Sequence, residues 1–360
     1  MKKKIKVGIL FGGKSAEHEV SVRSARNVLE AMDKSKYEPV LIGIDKKGRW
    51  HMSADSKALL HRKSLESGEV SNSDSVALVN EGSGKLTGYT NLQNEISVDV
   101  VFPILHGPFG EDGTVQGLLK LANVPFVGAG VLGSAVGMDK DVMKRLLRDA
   151  GIPIGKFLTF KTGDKIDFKK VKYELGLPMF VKPANMGSSV GVSKVRNENE
   201  FKKAIKTAFD FDLKILIEQN IEGREIECAV LGNEKPIASV PGEVVLTDDF
   251  YSYEAKYIDE NGAVIEIPAK LDKVTAKRIQ TIAIKTFKAL SCEGLGRVDC
   301  FIKNGDILVN EINTIPGFTS ISMYPKLFEV SGISYSNLID RLITLAIERF
   351  KKEQKLKTSY

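Results

Sequence analysis

Asp299, Glu311 and Asn313 lie close together late in the chain, within Gly296 to Ser320, GRVDCFIKNGDILVNEINTIPGFTS. The pattern predicts a β-hairpin: strands over Val298–Ile302 and Ile307–Glu311, joined by the turn residues Asn304-Gly305-Asp306. A three-residue turn would set Asp299 directly opposite Glu311, with Asn313 following on the same face. Two carboxylates and an amide on one face repel unless a cation lies between them, and their hard oxygens suit Mg²⁺ bridging nucleotide phosphates. A two-residue turn would shift the register by one and split the acids between faces. An exposed hairpin with solvated acids is the alternative reading of the same residues.

A second group suits phosphate. Met179 to Lys182 reads as a strand ending in lysine, and Pro183 to Gly191, PANMGSSVG, is a glycine- and serine-rich loop before strand resumes at Val192. Such a flap offers backbone N–H groups and the Ser188 and Ser189 hydroxyls to phosphate oxygens, with fixed charge from Lys182. The extended link Glu218 to Ile221 could present free backbone groups to an adenine edge, and Glu225 could take ribose hydroxyls. His106 ends the apolar run Val100 to Leu105 and opens a glycine-rich turn, a common ligand position in parallel sheets. Glu17 and His18 flank the turn after Gly12-Gly13 and either start a helix in solvent or face a ligand.

These groups need a scaffold, and the hydrophobic pattern supplies one. Strands at Ile5–Phe11 and Val40–Ile44, with a helix from about Val22 between them, predict an open, mostly parallel N-terminal sheet whose ligands bind at the carboxyl ends of its strands. After Gly151 the character changes, and the strand, Gly/Ser loop and strand read as a hairpin flap, with further strands at Lys214–Glu218 and Glu225–Leu231. Helices over about Thr275–Leu290 and Tyr335–Phe350 carry apolar stripes and read as scaffold. Thr247 to Ile258, TDDFYSYEAKYI, is a tyrosine-rich loop, either a lid or an Ω-loop. Asp45 to Ser97 is polar and weakly patterned, with Trp50 anchoring a hairpin after the Lys47-Gly48 turn.

Composition narrows the classes. With 360 residues there is length for two or three domains, and 42% hydrophobic with 27% charged residues is an ordinary globular balance. The net charge of +6 is dispersed, with no aromatic-studded basic stripe for nucleic acid, and it favours an anionic substrate. Three separated cysteines without CxxC spacing predict buried thiols in a reducing compartment, and no apolar run is long enough to span a bilayer. The expected location is the cytosol. Two motif matches mislead. Gly8 to Ser15, GILFGGKS, fits the P-loop pattern, but its middle residues read as strand core. Gly128 to Gly133, GAGVLG, fits the dinucleotide fingerprint but lacks an acid-ended strand after it, and reads as a tight turn between domains.

Taken in order, the strand-ending lysine with its flap, the acid-ended strand at a linker and the late Asp…Glu-x-Asn hairpin resemble the ATP-grasp ligases. Four segments narrow the resemblance to the D-alanine–D-alanine ligase family of bacterial cell-wall synthesis: GGKSAEHEVS (Gly12–Ser21), HGPFGEDG (His106–Gly113), FYSYEAKY (Phe250–Tyr257) and NEINTIPGFTSIS (Asn310–Ser322). The resemblance runs from about Lys6 to Glu348 and is weakest over Asp45–Ser97.

It implies an α/β (α+β) chain of three domains with two antiparallel sheets clamping ATP, divided at about 1–127, 128–217 and 218–360. Asp299, Glu311 and Asn313 would hold two Mg²⁺ ions, replaceable by Mn²⁺. Lys140, Lys182 and Lys256 would contact ATP phosphates under the Ser188–Ser189 flap, while Glu218 would read adenine and Glu225 the ribose. Glu17, with His106 nearby, would take the first D-alanine's ammonium. Arg297 and the Gly317 N–H would stabilise an oxyanion, Ser322 would hold the second D-alanine's carboxylate, and Tyr257 would link the lid to Glu17 and Ser188. Keeping Lys256-Tyr257 favours a peptide over a D-lactate ester; Met323, where leucine is common after the serine, could reshape the second subsite. The family implies D-alanine and ATP as partners, no nucleic acid, no membrane and a homodimer. The competing readings are a relative that takes D-lactate or D-serine, an NAD-dependent oxidoreductase built on Gly128–Gly133, and a nucleotide sensor without chemistry.

Overall fold

The computed structural model describes residues 3–52, 57, 60, 76–78, 85–88, 96–246 and 263–357. Three principal sheets follow one another along the chain. The first orders its strands as Trp50–Met52, Tyr37–Ile44, Ile5–Gly12 and Val100–Ile104. The last three are parallel, and Trp50–Met52 turns back antiparallel at the edge. The Trp50 hairpin expected from the Lys47-Gly48 turn is therefore present. Buried Val7, Ile9 and Phe11 alternate with Leu10 on opposite faces of the central strand, which is covered on both sides. That strand runs through Gly12, so the middle residues of the P-loop match are sheet, as expected.

The second sheet is antiparallel, in the order Ser193–Val195, Met179–Pro183, Lys214–Gln219 and Phe157–Lys161. The flap is the connection between its first two strands. The third sheet centres on Arg224–Gly232, Gly294–Lys303 and Asp306–Asn313, all antiparallel. A small three-stranded sheet joins Val76–Leu78, Lys85–Gly88 and Ile96–Ser97.

The helix Tyr335–Glu353 ties the ends of the chain together. Its stripe of Leu338, Ile339, Leu342, Ile343 and Ala346 is buried in one cluster with Val7, Ile9 and Phe11 of the first sheet and Phe318, Tyr324 and Phe328 beyond the third. Each buried leucine, isoleucine, valine or phenylalanine among them contributes roughly 2 kcal/mol by leaving water. Arg349 on this helix donates to the carbonyls of Phe126 at 2.9 Å and Gly128 at 2.5 Å, fixing the chain where it leaves the first sheet. The glycines of the GxGxxG match serve that crossing. A Cβ on Gly133 would lie 2.6 Å from the Ser291 carbonyl, and one on Gly294 would lie 3.1 Å from the Gly128 nitrogen. The close approaches that a dinucleotide would need are made by the chain's own backbone.

The late hairpin corrects one expectation and keeps its consequence. The turn is two residues, Asn304 and Gly305, both left-handed at φ 52° and 85°, between the paired Lys303 and Asp306. That alone would split the acids between faces. A β-bulge then shifts the ladder: Cys300 pairs with Val309, but Asp299 pairs with Glu311, so Asn310 is the extra residue. The bulge restores the facing pair. It is held from outside the hairpin, because Lys144 donates to the Asn310 carbonyl at 3.2 Å and Val309 donates to the Pro153 carbonyl at 2.8 Å.

Candidate active site

Three acids stand in one row across three strands. Glu227 pairs with Asp299, and Asp299 with Glu311. Arg297 lies one pleat back on the same face, opposite Asn313. Like charges in register destabilise a sheet, and here the guanidinium offsets them. Arg297 Nε is 2.7 Å from Asp299 Oδ1 and Nη2 is 2.7 Å from Oδ2. Glu227 Oε2 lies 2.8 Å from the same Nε. Burial works against the Arg297 charge, but Asp299 and then Glu227 overcome it and hold its pKa well above the ordinary guanidinium value. Asn313 donates from Nδ2 to Asp299 Oδ2 at 2.9 Å and keeps its oxygen as a hard donor. Glu225 is on the same strand face as Glu227, opposite Phe301.

A divalent cation fits the hard oxygens of Asp299, Glu311 and Asn313 in chemistry. The neighbouring cations are Arg297 on Asp299, Lys140, whose Nζ is 3.7 Å from Glu311 Oε2, and Lys144, on which the charge of Glu311 also acts. Among the described residues no three His, Cys, Asp or Glu side chains converge on one point. The set is two acids and an amide, leaving positions for oxygens from a phosphate.

The side expected from the sequence to take phosphate is built on two elements. The helix Lys140–Asp149 begins at Asp139, whose carboxylate caps the N–H groups of Asp141 and Val142. The Lys140 N–H donates to the Ala184 carbonyl at 3.0 Å, and its Nζ to the Met186 carbonyl at 2.7 Å, so the helix start is pinned to the flap. Lys182 Nζ is 2.8 Å from Glu218 Oε2, and Lys144 Nζ is 3.4 Å from Glu218 Oε1. Burial would raise the Glu218 pKa, but Lys144 and Lys182 together lower it, so the group is an anion. Burial lowers the Lys144 pKa against the opposing charge of Glu218. Both Glu218 oxygens thus face lysines.

The flap reaches across to the N-terminal domain. Ser188 and Ser189 are left-handed, at φ 49° and 59°, and the Ser188 hydroxyl donates to Glu17 Oε1. Glu17 is buried at the start of the helix His18–Ala31, which begins four residues earlier than its apolar stripe suggests. Glycines lie on both sides of it, and Gly107 is also left-handed at φ 76°. A Cβ on Gly107 would meet Glu17 Oε2 at 2.7 Å, and one on Gly187 at 3.1 Å. Ser21, one turn on, accepts from the Gly12 N–H at 2.7 Å and donates to the Ile104 carbonyl, tying the helix to two strand ends.

His106 is buried and held at both nitrogens. Nδ1 donates to the Ile315 carbonyl at 3.0 Å, and Nε2 is 3.3 Å from the Ser24 hydroxyl. The Ser24 oxygen in turn accepts from the Phe318 N–H at 3.2 Å. Burial holds the His106 pKa below its ordinary value, despite the charge of Glu17, so the ring is neutral near pH 7. It fastens the N-terminal domain to the loop carrying Gly317. A Cβ on Gly317 would lie 2.9 Å from Ser322 Oγ, which also accepts from the Thr319 N–H at 3.0 Å, so Gly317 and Ser322 share one turn. Lys256 and Tyr257 lie outside the described residues.

Three participants escape the sequence reading. Glu227 follows Glu225 at strand spacing, so period two places both on one face. Lys144 follows Lys140 by one helical turn. Glu111 lies inside HGPFGEDG and accepts from the N–H groups of Gly107 at 3.0 Å and Ile315 at 3.2 Å. Burial, and then the charge of Glu17, push its carboxyl up to about 8.

The likeness to known proteins is full-length. Family models match at residues 6–129, D-ala D-ala ligase N-terminus, and 146–344, D-ala D-ala ligase C-terminus. The D-alanine–D-alanine ligase of Oceanobacillus iheyensis is 56% identical over 361 residues, covering 99% of each chain. Among solved structures, the D-alanine-D-alanine ligase from Coxiella burnetii superposes with a TM-score of 0.85 at 40% identity, covering 98% of both chains. The VanG D-Ala:D-Ser ligase from Enterococcus faecalis gives 0.85 at 38%, covering 96% of this chain and 100% of that one. With the parallel N-terminal sheet, the two antiparallel sheets and matches over both halves, the chain belongs to the D-alanine–D-alanine ligase family of the ATP-grasp fold.

Proposed function

We infer that the chain joins two D-alanine molecules to D-alanyl-D-alanine at the expense of ATP, for bacterial peptidoglycan precursors. A carboxylate is a poor acyl donor, so the first D-alanine's carboxylate attacks the γ-phosphorus of ATP, ADP leaves, and an acyl phosphate forms. The amine of the second D-alanine attacks that carbonyl, loses a proton, and inorganic phosphate departs. The protein's work is positioning and charge stabilisation.

In this reading Glu17 receives the first ammonium, in a pocket edged by Gly107 and Gly187. Lys140 and Lys182 face the phosphates beneath the Ser188–Ser189 flap, with Lys256 joining them and Tyr257 sealing the lid. Glu218 and Glu225 serve adenine and ribose. Release of Lys182 from Glu218 toward a phosphate frees one carboxylate oxygen for the base. Arg297 and the Gly317 N–H meet the oxyanion of the tetrahedral intermediate, and Ser322 holds the second carboxylate. Asp299, Glu311 and Asn313 are the residues that would hold two Mg²⁺ or Mn²⁺ ions. When bound, these ions supply positive charge to the phosphate oxygens. His106, held at both nitrogens, orients the Gly317 loop. The protein is cytoplasmic and a homodimer in this account; no helix among the described residues is long and apolar enough to cross a membrane.

The observation that carries the reading is the Ser188–Glu17 contact, which brings the flap onto the carboxylate proposed to bind the first D-alanine's ammonium. ADP release tests it: turnover should require D-alanine and be absent with L-alanine. D-alanine-independent ATP hydrolysis at the same rate would contradict it. D-serine as second substrate is the other reading, favoured by the likeness to the D-Ala:D-Ser ligase.

A further inference from the structure

Arg297 has two anions for one directed hydrogen. Its Nε carries a single N–H, yet Asp299 Oδ1 is 2.7 Å away and Glu227 Oε2 is 2.8 Å away. Asp299 also takes Nη2 at 2.7 Å, so the fork of the guanidinium is turned onto Asp299 with Glu227 beside it. Both Asp299 oxygens are engaged, Oδ2 by Asn313 as well. Glu227 is itself 6% exposed. Burying a second acid beside one guanidinium is costly, because one carboxylate already satisfies the charge. If the pair existed only to stabilise the sheet, an apolar residue at 227 would serve as well.

The second acid has a use if Asp299 does not keep the arginine. Resting on the assignment of Asp299 as a metal ligand, a divalent cation there would compete with the guanidinium for the same oxygens and repel it. Arg297 would then lack an anchor at the step that needs it aimed at the oxyanion. Glu227 lies on the neighbouring strand, directly across from Asp299 and away from Glu311. We propose that Glu227 is a positioning residue: it receives Arg297 when a cation takes Asp299, and thereby holds the guanidinium in the site. The geometry is an exchange between two adjacent carboxylates, with Nε as the pivot and the Nη groups freed to face substrate.

The proposal predicts coupling between Glu227 and the cation that runs through Arg297. Mn²⁺ binding to the full chain with ADP is measured by the electron-spin signal of free Mn²⁺, which needs no turnover. Glu227→Gln should weaken Mn²⁺ about tenfold, because Arg297 then has only Asp299 to hold and resists displacement. In an Arg297→Ala background the same change should weaken Mn²⁺ less than about twofold. Glu227→Asp keeps the charge on a shorter stem and should fall between. In steady state Glu227→Gln should lower kcat while leaving the KM for ATP within about twofold. Equal weakening in both backgrounds would show that Glu227 acts on the cation directly and would overturn the proposal. Full-strength Mn²⁺ binding by Glu227→Gln, or by a folded Glu227→Asp if the first variant fails to fold, alongside unchanged kcat would overturn it too. No Mn²⁺ binding by the unmodified chain would instead overturn the metal assignment itself, and this inference with it.

Discussion

Replacing Glu218 by glutamine removes the carboxylate that faces two buried ammonium groups, with Glu311 left acting on Lys144 from farther off. Lys182 is 2.8 Å and Lys144 3.4 Å from its oxygens, and all three side chains are nearly buried. At an effective dielectric constant of 20, the two attractions amount to about 6 and 5 kcal/mol before desolvation is subtracted. Deleting one partner of a buried pair typically costs about 3–5 kcal/mol, so a loss of about 3 kcal/mol near pH 7 is expected. The pH dependence is the sharper part. Lys144 is already below its ordinary pKa because of burial, against the pull of Glu218. Without Glu218 it drops further. A lysine whose folded pKa lies below its unfolded value of about 10.4 penalises the folded state while charged there, and the penalty fades as pH rises toward the unfolded value. The deficit of Glu218→Gln should therefore shrink between pH 7 and pH 10, as read from urea unfolding by circular dichroism at each pH. On the acid side, the lowered Glu218 pKa gives the unmodified chain stability that is present above about pH 4.5 and lost as pH falls. A deficit under about 1 kcal/mol, or one that does not change from pH 7 to pH 10, would refute the reasoning.

Gly107→Ala combines a left-handed φ of 76° with a Cβ 2.7 Å from Glu17 Oε2, so it should raise the KM for D-alanine about tenfold or more, with about 1–2 kcal/mol lost in stability; an unchanged KM would remove Glu17 from the substrate pocket. Ser188→Ala cuts the flap's hold on Glu17 and should raise the ratio of ADP formed to dipeptide formed, as water reaches the acyl phosphate; a ratio of unity would show that the flap closes without it. Glu111, with its carboxyl at about 8, keeps a proton in the folded chain that the unfolded chain loses above about pH 4.5. Its contribution to stability falls as pH rises between those values, by up to about 1.4 kcal/mol per pH unit. The melting temperature of the unmodified chain should therefore fall relative to Glu111→Gln from pH 5 to pH 8, and parallel curves would contradict the raised pKa.

Local patterns and tertiary contacts explain which features could be read in advance. The parallel N-terminal sheet, the flap between antiparallel strands and the apolar stripe of the last helix follow from periodicity and glycine placement, and were legible. The facing of Asp299 and Glu311 was anticipated with the wrong turn. Asn304-Gly305 makes the turn in two residues, and the compensating bulge at Asn310 depends on Lys144 and Pro153, contacts from segments more than 150 positions away in sequence. No local signal carries them. His106 was legible as a residue at a strand end, but its partners are the Ile315 carbonyl and the hydroxyl of Ser24, which only the fold brings together. Glu227 reads as an ordinary acid in an alternating strand. Its neighbours become visible once the Gly294–Lys303 strand is laid beside it. The dinucleotide fingerprint shows the reverse case: a motif whose glycines are spent on backbone packing rather than on a ligand.

The most direct test of the account is product identification. The purified chain is incubated with ATP, Mg²⁺ and an equal mixture of D-alanine, D-serine and D-lactate, and the products are resolved by mass. The account predicts D-alanyl-D-alanine as the main product, formed in step with ADP and phosphate. A predominance of D-alanyl-D-serine or D-alanyl-D-lactate, or ADP without any condensed product, would contradict it.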